Sequence, residues 1–281
     1  MSKLLKRLST SLKGKKSSDN TSTPTTTSAP APASAPAPAD ASTSTAPAPA
    51  TVPATSTAPA PATATATTPV IMSSAPKIAI IVHSLWGHVK QLADKVEAGA
   101  KAAGAEVTVF RFAETLPDEV LTKMHAPKDL LAHLPVITAE DLTKFDGFLF
   151  GFGTRYGRTP AQVSAFFDST GGLWAKGALV GKYGGIFTST ASQHGGQETT
   201  ALTTIPFFAH HGIIFVPIGY QFAQLTATDK VISGSAYGAA TLAGGDGSVQ
   251  PTQDDLAVAE GQGKFFAGIV GNAVRGKAAS A

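Results

Sequence analysis

KIAIIVHSLWGHVKQLADKV, residues 77 to 96, is the stretch of sequence that decides the fold. Its first seven residues are almost all apolar, as in a parallel strand that is buried on both faces of a sheet. From His88 onward, apolar residues recur at helical spacing with Lys and Asp between them. Ser84–Gly87 forms a short turn between the two elements. A buried strand that passes through a Ser/Gly turn into a helix is typical of α/β proteins that hold a phosphate at the helix start.

Strands and helices alternate along the rest of the chain. Apolar runs predict the strands, and segments with helical spacing predict the helices between them. The predicted strands cover residues 77–84, 105–112, 145–153, 183–190 and 213–219, and the predicted helices cover residues 88–104, 117–124, 160–169, 198–211 and 253–274. A Gly-rich excursion at residues 220–250 precedes the last helix. This alternation predicts an α/β fold with a parallel sheet and right-handed crossovers.

Composition divides the chain into three parts. Residues 1–75 consist mainly of Ala, Pro, Ser and Thr, and we expect a disordered tail there because so few large apolar side chains cannot form a core. Residues 76–276 have the composition of one folded domain. Residues 277–281 are expected to be a flexible C-terminus.

The first 16 residues differ from the rest of the tail. Their leucines fall on one helical face, and six Lys and Arg residues supply positive charge. This pattern is typical of a short helix on an anionic membrane surface. It also fits a solvated basic chain end and, in part, a mitochondrial presequence. The expectation is a cytoplasmic protein with peripheral contact to the plasma membrane, and mitochondrial import is the weaker alternative.

Composition and charge exclude several classes of site. The chain has no cysteine, which rules out disulfides and thiolate metal sites. The net charge is +3, but the tail carries six basic and two acidic residues, so the remainder has a net charge of −1 and lacks the basicity of a nucleic-acid-binding domain. The seven histidines show no metal-ligand spacing, and no Walker or dinucleotide glycine motif is present. The sequence therefore predicts no metal site and no nucleic-acid partner.

Three polar segments follow predicted strands of the sheet. They are Ser84–Val89, Thr154–Gly157 and Ser189–Gly196. Ligands of parallel sheets bind beyond the carboxyl ends of the strands, so we expect these segments to converge there. The first segment contains no Lys or Arg, which favours a terminal phosphate held by neutral amide and hydroxyl donors, such as that of FMN. Taken singly, the segments also fit a helix cap, an exposed loop and a polar strand-to-helix turn.

Several longer motifs occur together in the same region. They are SLWGHV, GTRYG, STGGLWAKGALVGK, GGQETT, AHHGIIFVPIGY and GAATLAGGDGSVQPTQDDLAVAEGQG. Through them, residues 77–275 resemble the flavodoxin-like quinone reductases of the tryptophan-repressor-binding-protein (WrbA) type, as a fungal member with a low-complexity N-terminal extension. The resemblance implies a flavodoxin-like three-layer sandwich with five parallel strands in the order 2-1-3-4-5. It also implies FMN as cofactor and a homotetramer built as a dimer of dimers. The implied activity, linked to oxidative stress, is the two-electron reduction of a quinone by NADH or NADPH through ping-pong hydride transfer.

The resemblance also assigns site residues, motif by motif. The residues implied to bind FMN are Ser84, Leu85, Trp86, Gly87, His88, Val89, Thr154, Arg155, Tyr156, Gly157, Ser189, Thr190, Ala191, Ser192, Gln193, His194, Gly195 and His211. The first segment wraps the phosphate, the second lines the isoalloxazine ring, and the third covers the rest of the ring and the ribityl chain. His211 lies against the flavin and tunes its reduction, and no catalytic residue beyond the flavin is implied. Trp86 stands near the nicotinamide, and Trp174 closes the ring face from a neighbouring subunit.

Two positions depart from the family pattern. Phe152 stands where Pro is common, and Gln193-His194 lengthen the Gly-rich loop, so both are expected to reshape the ring pocket. With the basic N-terminal segment, these departures leave a second function open, a membrane-associated scaffold or regulator with weak or no reductase activity. A one-electron carrier is a third possibility, but such flavodoxins have strongly acidic surfaces, unlike the folded part of this chain.

Overall fold

A computed structural model describes residues 75–280 of the chain. Apart from Ala75, the predicted disordered tail lies outside the described residues, and so does its basic segment at residues 1–16.

The described residues contain a six-stranded parallel sheet. Its strands are β1 (Lys77–His83), β2 (Glu106–Arg111), β3 (Gly147–Gly153), β4 (Tyr183–Thr190), β5 (Ile214–Phe215) and β6 (Ala240–Leu242). They lie in the order β2-β1-β3-β4-β5, and β6 pairs with the C-terminal part of β4. The predicted order 2-1-3-4-5 is confirmed, with one short strand in addition.

Helices cover both faces of the sheet. They are α1 (His88–Ala102), α2 (Asp118–Lys123), α3 (Ala161–Asp168), α4 (Gly171–Ala175), α5 (Gln197–His211) and α6 (Gln253–Ser280), with 3₁₀ turns at Glu140–Lys144 and Ala223–Thr226. Successive side chains of a strand point to opposite faces. Ile80 and Val82 therefore join the apolar cluster that includes α1 and α6, while Ala79 and Ile81 join the cluster that includes α3 and α5. Burial of β1 on both faces produces the three-layer sandwich.

Close contact between α1 and α6 depends on two glycines. A Cβ atom at Gly99 would lie 1.9 Å from the carbonyl oxygen of Glu260, and one at Gly263 would lie 2.0 Å from that of Val96. Glycine lowers helix propensity, but here it lets the two helix backbones approach each other. Helix α6 runs to Ser280, so the predicted end of this helix near residue 274 was wrong, and residues 277–280, expected to be flexible, are helical.

The fifth strand is shorter than predicted and is replaced in part by β6. The sequence predicted one strand over residues 213–219, but β5 ends at Phe215. Pro217 has no N–H group to continue the ladder, and the amide of Ile218 donates instead to Ala236 O at 3.0 Å. The chain returns as β6 beside the end of β4. This return places residues 243–247 at the carboxyl edge of the sheet.

In the part of the chain that the structure describes, no helix is both long enough and apolar enough to cross a membrane.

Candidate functional site

A cleft of about 1040 Å³ opens at the carboxyl edge of the sheet. Segments that follow β1, β3, β4 and β6 form its walls, together with residues next to α2 and α3. It is lined by His83, Ser84, Leu85, Trp86, His88, Val89, Leu116, Met124, His125, Gly153, Thr154, Arg155, Tyr156, Arg158, Thr159, Pro160, Ala161, Gln162, Ser189, Thr190, Ala191, Ala243, Gly244, Gly245, Asp246 and Gly247. The three segments singled out in the sequence therefore do meet at one site. Its volume is at the upper end of the range for small-molecule sites.

The turn between β1 and α1 presents free backbone donors to the cleft. Gly87 precedes the helix with φ 97°, a left-handed conformation that favours glycine. Ser84 Oγ accepts a hydrogen bond from Gly87 N at 3.2 Å, which leaves the hydroxyl hydrogen free to donate. No side chain caps α1. The amides of its first turn are therefore available to an anion, and the helix dipole adds partial positive charge.

Trp86 forms one wall of the cleft and is held by the segment that follows α2. Its indole Nε1 donates to Met124 O at 3.2 Å, and its side chain remains 45% exposed. The next residue, His125, also lines the cleft and has φ 53°. The sequence did not indicate Met124 or His125 as site residues. Ligands of parallel sheets are expected beyond the strand ends, and that expectation does not reveal that this irregular segment folds back over the turn.

Residues Arg155 to Arg158 form a tight hairpin after β3. Arg155 N donates to Arg158 O at 2.9 Å, and Arg158 N donates to Arg155 O at 3.1 Å. The two central residues, Tyr156 and Gly157, have φ of 54° and 76°. Thr154 Oγ1 accepts from Gly157 N at 3.1 Å. The hairpin is thus a rigid edge of the cleft, with Tyr156 fully exposed at its tip.

Only the first part of the loop after β4 reaches the cleft. Ser189, Thr190 and Ala191 line it, whereas residues 192–195 do not. Thr190 Oγ1 donates to Ser192 O at 2.8 Å, and Gly195 N donates to the same oxygen at 3.0 Å. These hydrogen bonds fix the shape of the loop. Contact of Ser192, Gln193, His194 and Gly195 with the flavin stays a prediction.

Phe152, one of the two departures from the family pattern, does not line the cleft either. Its side chain is completely buried in the apolar cluster that includes α3 and α5. Phe152 O accepts from Thr188 Oγ1 at 2.7 Å, which fixes the end of β3 to β4. The expectation that Phe152 reshapes the ring pocket was wrong, because the alternation of side chains along β3 directs it into the core.

His211 and Trp174 lie outside the cleft of their own chain. His211 ends the 15-residue helix α5, about 21 Å along the axis from Gln197. Thr170 Oγ1 donates to Phe167 O at 2.6 Å, so its oxygen accepts from His211 Nε2 at 2.9 Å. Within residues 75–280, His211 Nδ1 has no hydrogen-bond partner. Burial, and then the charge of His210, lowers the pKa of His211, which keeps the ring neutral.

Trp174 lies on α4, the helix that Thr170 precedes, and it is 59% exposed. Because His211 lies at the end of α5 and outside the cleft, it is not placed to contact a flavin bound to the same chain. The contact of Trp174 with a flavin of a neighbouring subunit stays a prediction.

The loop after β6 is a cleft wall that sequence reasoning missed. Residues Ala243 to Gly247, in the Gly-rich excursion that precedes the last helix, line the cleft. Ala243 N donates to Thr190 O at 2.8 Å, and His88 Nε2 donates to Val249 O at 2.9 Å. His88 thus connects this loop to the first turn of α1. The signal in the sequence was the dense glycine pattern, which allows a backbone to approach a ligand closely.

A polar cluster supports the wall next to α3. Glu114 accepts from Gln162 Nε2 at 2.5 Å and from Leu116 N at 2.9 Å, and it lies 3.3 Å from His83 Nε2. Burial alone would raise the pKa of Glu114, but hydrogen bonds from His83, Gln162 and Leu116 outweigh it and lower that pKa to about 2. The carboxylate therefore stays charged and orients two side chains that line the cleft. Sequence reasoning did not find Glu114 or Gln162, because neither belongs to a strand-end segment.

Among residues 75–280, no group of three or more His, Cys, Asp or Glu side chains is placed to hold a metal ion.

Comparisons with known proteins give one consistent result. Residues 76–226 match the family described as NADPH-dependent FMN reductase. A NAD(P)H quinone oxidoreductase of Candida albicans is 50% identical over 194 residues, which cover 68% of this chain and 96% of the relative. A quinone-oxidoreductase of Triphysaria versicolor is 51% identical, covering 69% of this chain and 95% of the relative. An NAD(P)H dehydrogenase (quinone) of Aromatoleum aromaticum is 47% identical, covering 72% of this chain and 100% of the relative. The chain belongs to the NADPH-dependent FMN reductase family and, within it, to the flavodoxin-like quinone oxidoreductases of the WrbA type.

Proposed function

We propose that this protein is an FMN-dependent NAD(P)H:quinone oxidoreductase. The observation that carries the proposal is the uncapped N-terminus of α1, which faces a cleft of about 1040 Å³ and offers free amides to a phosphate. The relatives at about half identity are named for NAD(P)H and quinones, and the family is named for FMN.

The residues of the cleft fit FMN. The amides of His88 and Val89 and the Ser84 hydroxyl are placed for the phosphate. The Thr154 and Ser189 segments, which end neighbouring strands, are placed for the polar edge of the ring. Bound FMN would carry an electron pair from the nicotinamide to the quinone, which is chemistry that the protein side chains cannot supply.

The chain's own residues would bind and orient the two flat substrates in turn. The exposed indole of Trp86, fixed on Met124 O, provides a planar surface of the size that an aromatic ring needs. If both substrates bind against this indole, the oxidised nicotinamide must leave before the quinone enters. We therefore expect ping-pong kinetics.

Tryptophan fluorescence and turnover test this proposal. FMN should quench the fluorescence of Trp86 at micromolar concentrations, and the FMN-loaded protein should oxidise NADPH or NADH only when benzoquinone is present. Parallel lines in a double-reciprocal plot would support the shared site. FMN binding without quinone-dependent oxidation of either nicotinamide would refute the reductase function.

We propose that the protein assembles as a homotetramer. Apolar side chains around the end of α5 are exposed in the single chain: Trp174 is 59% exposed, Val180 67% and Ile214 48%. Exposed apolar side chains that lie together favour contact with another subunit. Sedimentation equilibrium should give four chains per particle, and Ile214→Asp should dissociate it. A monomer at micromolar concentration would refute this assembly.

For localisation, we propose a cytoplasmic protein that touches the plasma membrane through residues 1–16. The support is the sequence, in which leucines and six basic residues share this segment. The full chain should sediment with vesicles that contain phosphatidylserine, and replacement of the six basic residues by Gln should abolish sedimentation. Equal binding of both proteins would contradict the proposal.

A further inference from the structure

We propose that Arg155 and Arg158 together bind the 2′-phosphate of NADPH and so determine which nicotinamide the enzyme prefers. This inference rests on the proposed function and names a determinant of its substrate.

The hairpin places the two arginines side by side. They exchange both backbone hydrogen bonds, at 2.9 and 3.1 Å, so they form a directly opposed hydrogen-bonded pair. Side chains of such a pair leave the ribbon on the same face, with Cβ atoms about 5 Å apart. Both residues line the cleft and both are exposed. Two guanidinium groups therefore share one side of its rim.

No carboxylate among residues 75–280 compensates this positive charge. Neither Arg155 nor Arg158 forms a salt bridge there, whereas six Lys–carboxylate pairs and one His–carboxylate pair are present. Of the acidic residues that the structure describes, Asp246 alone lines the cleft, and its carboxylate accepts hydrogen bonds from Ser248 N and Oγ. Like charges that face each other across a hairpin are destabilising. A bound dianion would remove that repulsion.

The backbone of the hairpin is held in a strained conformation. Tyr156 has φ 54°, which costs about 1–2 kcal/mol for a residue with a Cβ atom. Thr154 Oγ1 and Thr203 Oγ1 bond Gly157 N and Gly157 O at 3.1 and 3.2 Å and hold the turn against α5. Strain that neighbouring contacts maintain is typical of binding sites. The turn thus fixes the backbone of the Arg pair before a ligand arrives.

The position of the pair selects the 2′-phosphate rather than the phosphate of FMN. The neutral donors for FMN lie on the turn after β1, whereas the Arg pair lies after β3 at the exposed rim. With a nicotinamide beside Trp86, we expect the adenosine half of the nucleotide to extend towards this rim. NADPH differs from NADH only by the 2′-phosphate, and paired guanidinium groups recognise phosphate through several charge-assisted hydrogen bonds.

Arg158→Gln tests the assignment in the FMN-loaded protein. The ratio of kcat/KM for NADPH to that for NADH should fall about tenfold, as expected for the loss of one charge-assisted contact. Arg158→Lys should give a ratio between those of the wild type and Arg158→Gln, because lysine keeps the positive charge but lacks the forked donors of the guanidinium group. Lys264→Gln, the same charge change on the exposed side of α6, is the matched control and should leave the ratio unchanged.

Calorimetry with adenosine 2′,5′-bisphosphate gives a readout that needs no turnover. The wild type should bind this probe at least tenfold more tightly than adenosine 5′-monophosphate, and Arg158→Gln should lose that preference. A ratio that stays within about twofold of wild type, or equal losses for NADPH and NADH, would overturn the assignment. If FMN fails to bind the wild type, the proposed function fails instead, and the probe still reports on the Arg pair.

Discussion

Replacement of Glu114 by Gln tests how one partly exposed carboxylate stabilises the wall of the cleft. The pKa of Glu114 is lowered from 4.5 to about 2, because hydrogen bonds outweigh the effect of burial. A shift of that size corresponds to roughly 3 kcal/mol. The side chain is 28% exposed, so solvent screening reduces the expected loss to about 1–2 kcal/mol at pH 7.

The pH dependence of this loss has a definite sign. A carboxylate whose folded pKa is lowered stabilises the protein fully above its unfolded pKa of 4.5, and that contribution disappears as the pH falls towards 2. The free energy of unfolding should therefore be measured by urea titration at pH 7 and at about pH 3 for both proteins. Roughly half or more of the difference should vanish at the lower pH.

The control is Glu119→Gln, which removes an exposed carboxylate of α2 that has no salt-bridge partner among the described residues. It should change the free energy of unfolding by less than about 0.5 kcal/mol. A Glu114→Gln difference that is the same at both pH values would refute the reasoning. In that case the cost would come from packing and not from the charge.

Three further substitutions address the hairpin, the cleft wall and the core. Gly157→Ala places a methyl group 2.6 Å from Thr199 Oγ1 at φ 76°, and should cost about 1–3 kcal/mol in a thermal melt and weaken FMN binding. Trp86→Phe removes the indole donor from a side chain that is 45% exposed, so it should leave the melting temperature nearly unchanged while KM for the nicotinamide rises about two- to tenfold. Gly99→Val meets the Glu260 carbonyl at the α1–α6 contact and should cost about 2–4 kcal/mol in urea unfolding, whereas an unchanged midpoint would contradict the observed helix contact.

Much of the fold could be predicted because its signals are local. The apolar runs of β1 and β3 are continuous, and a helix with no side-chain cap follows each of them. Fully buried strands show such runs, and parallel pairing follows from the helices between them. The division of the fifth strand could not be predicted in the same way. β6 has only three residues, and its pairing with β4 depends on a long excursion with no periodic pattern.

The site was predictable only where it follows strand ends. The turns at Ser84 and Thr154 lie in the cleft, since the topology of a parallel sheet brings such turns together. Glu114 and His125 lie in irregular segments, so no periodicity located them. His211 was placed by motif alone, and a 15-residue helix carries it away from the turn where that helix begins.

Anaerobic reduction and reoxidation of the FMN-loaded protein tests the central claim most directly. One equivalent of NADPH should bleach the visible flavin absorption, and one equivalent of benzoquinone should then restore it without oxygen. Bound FMN that keeps its absorption in the presence of excess NADPH and NADH would contradict the account.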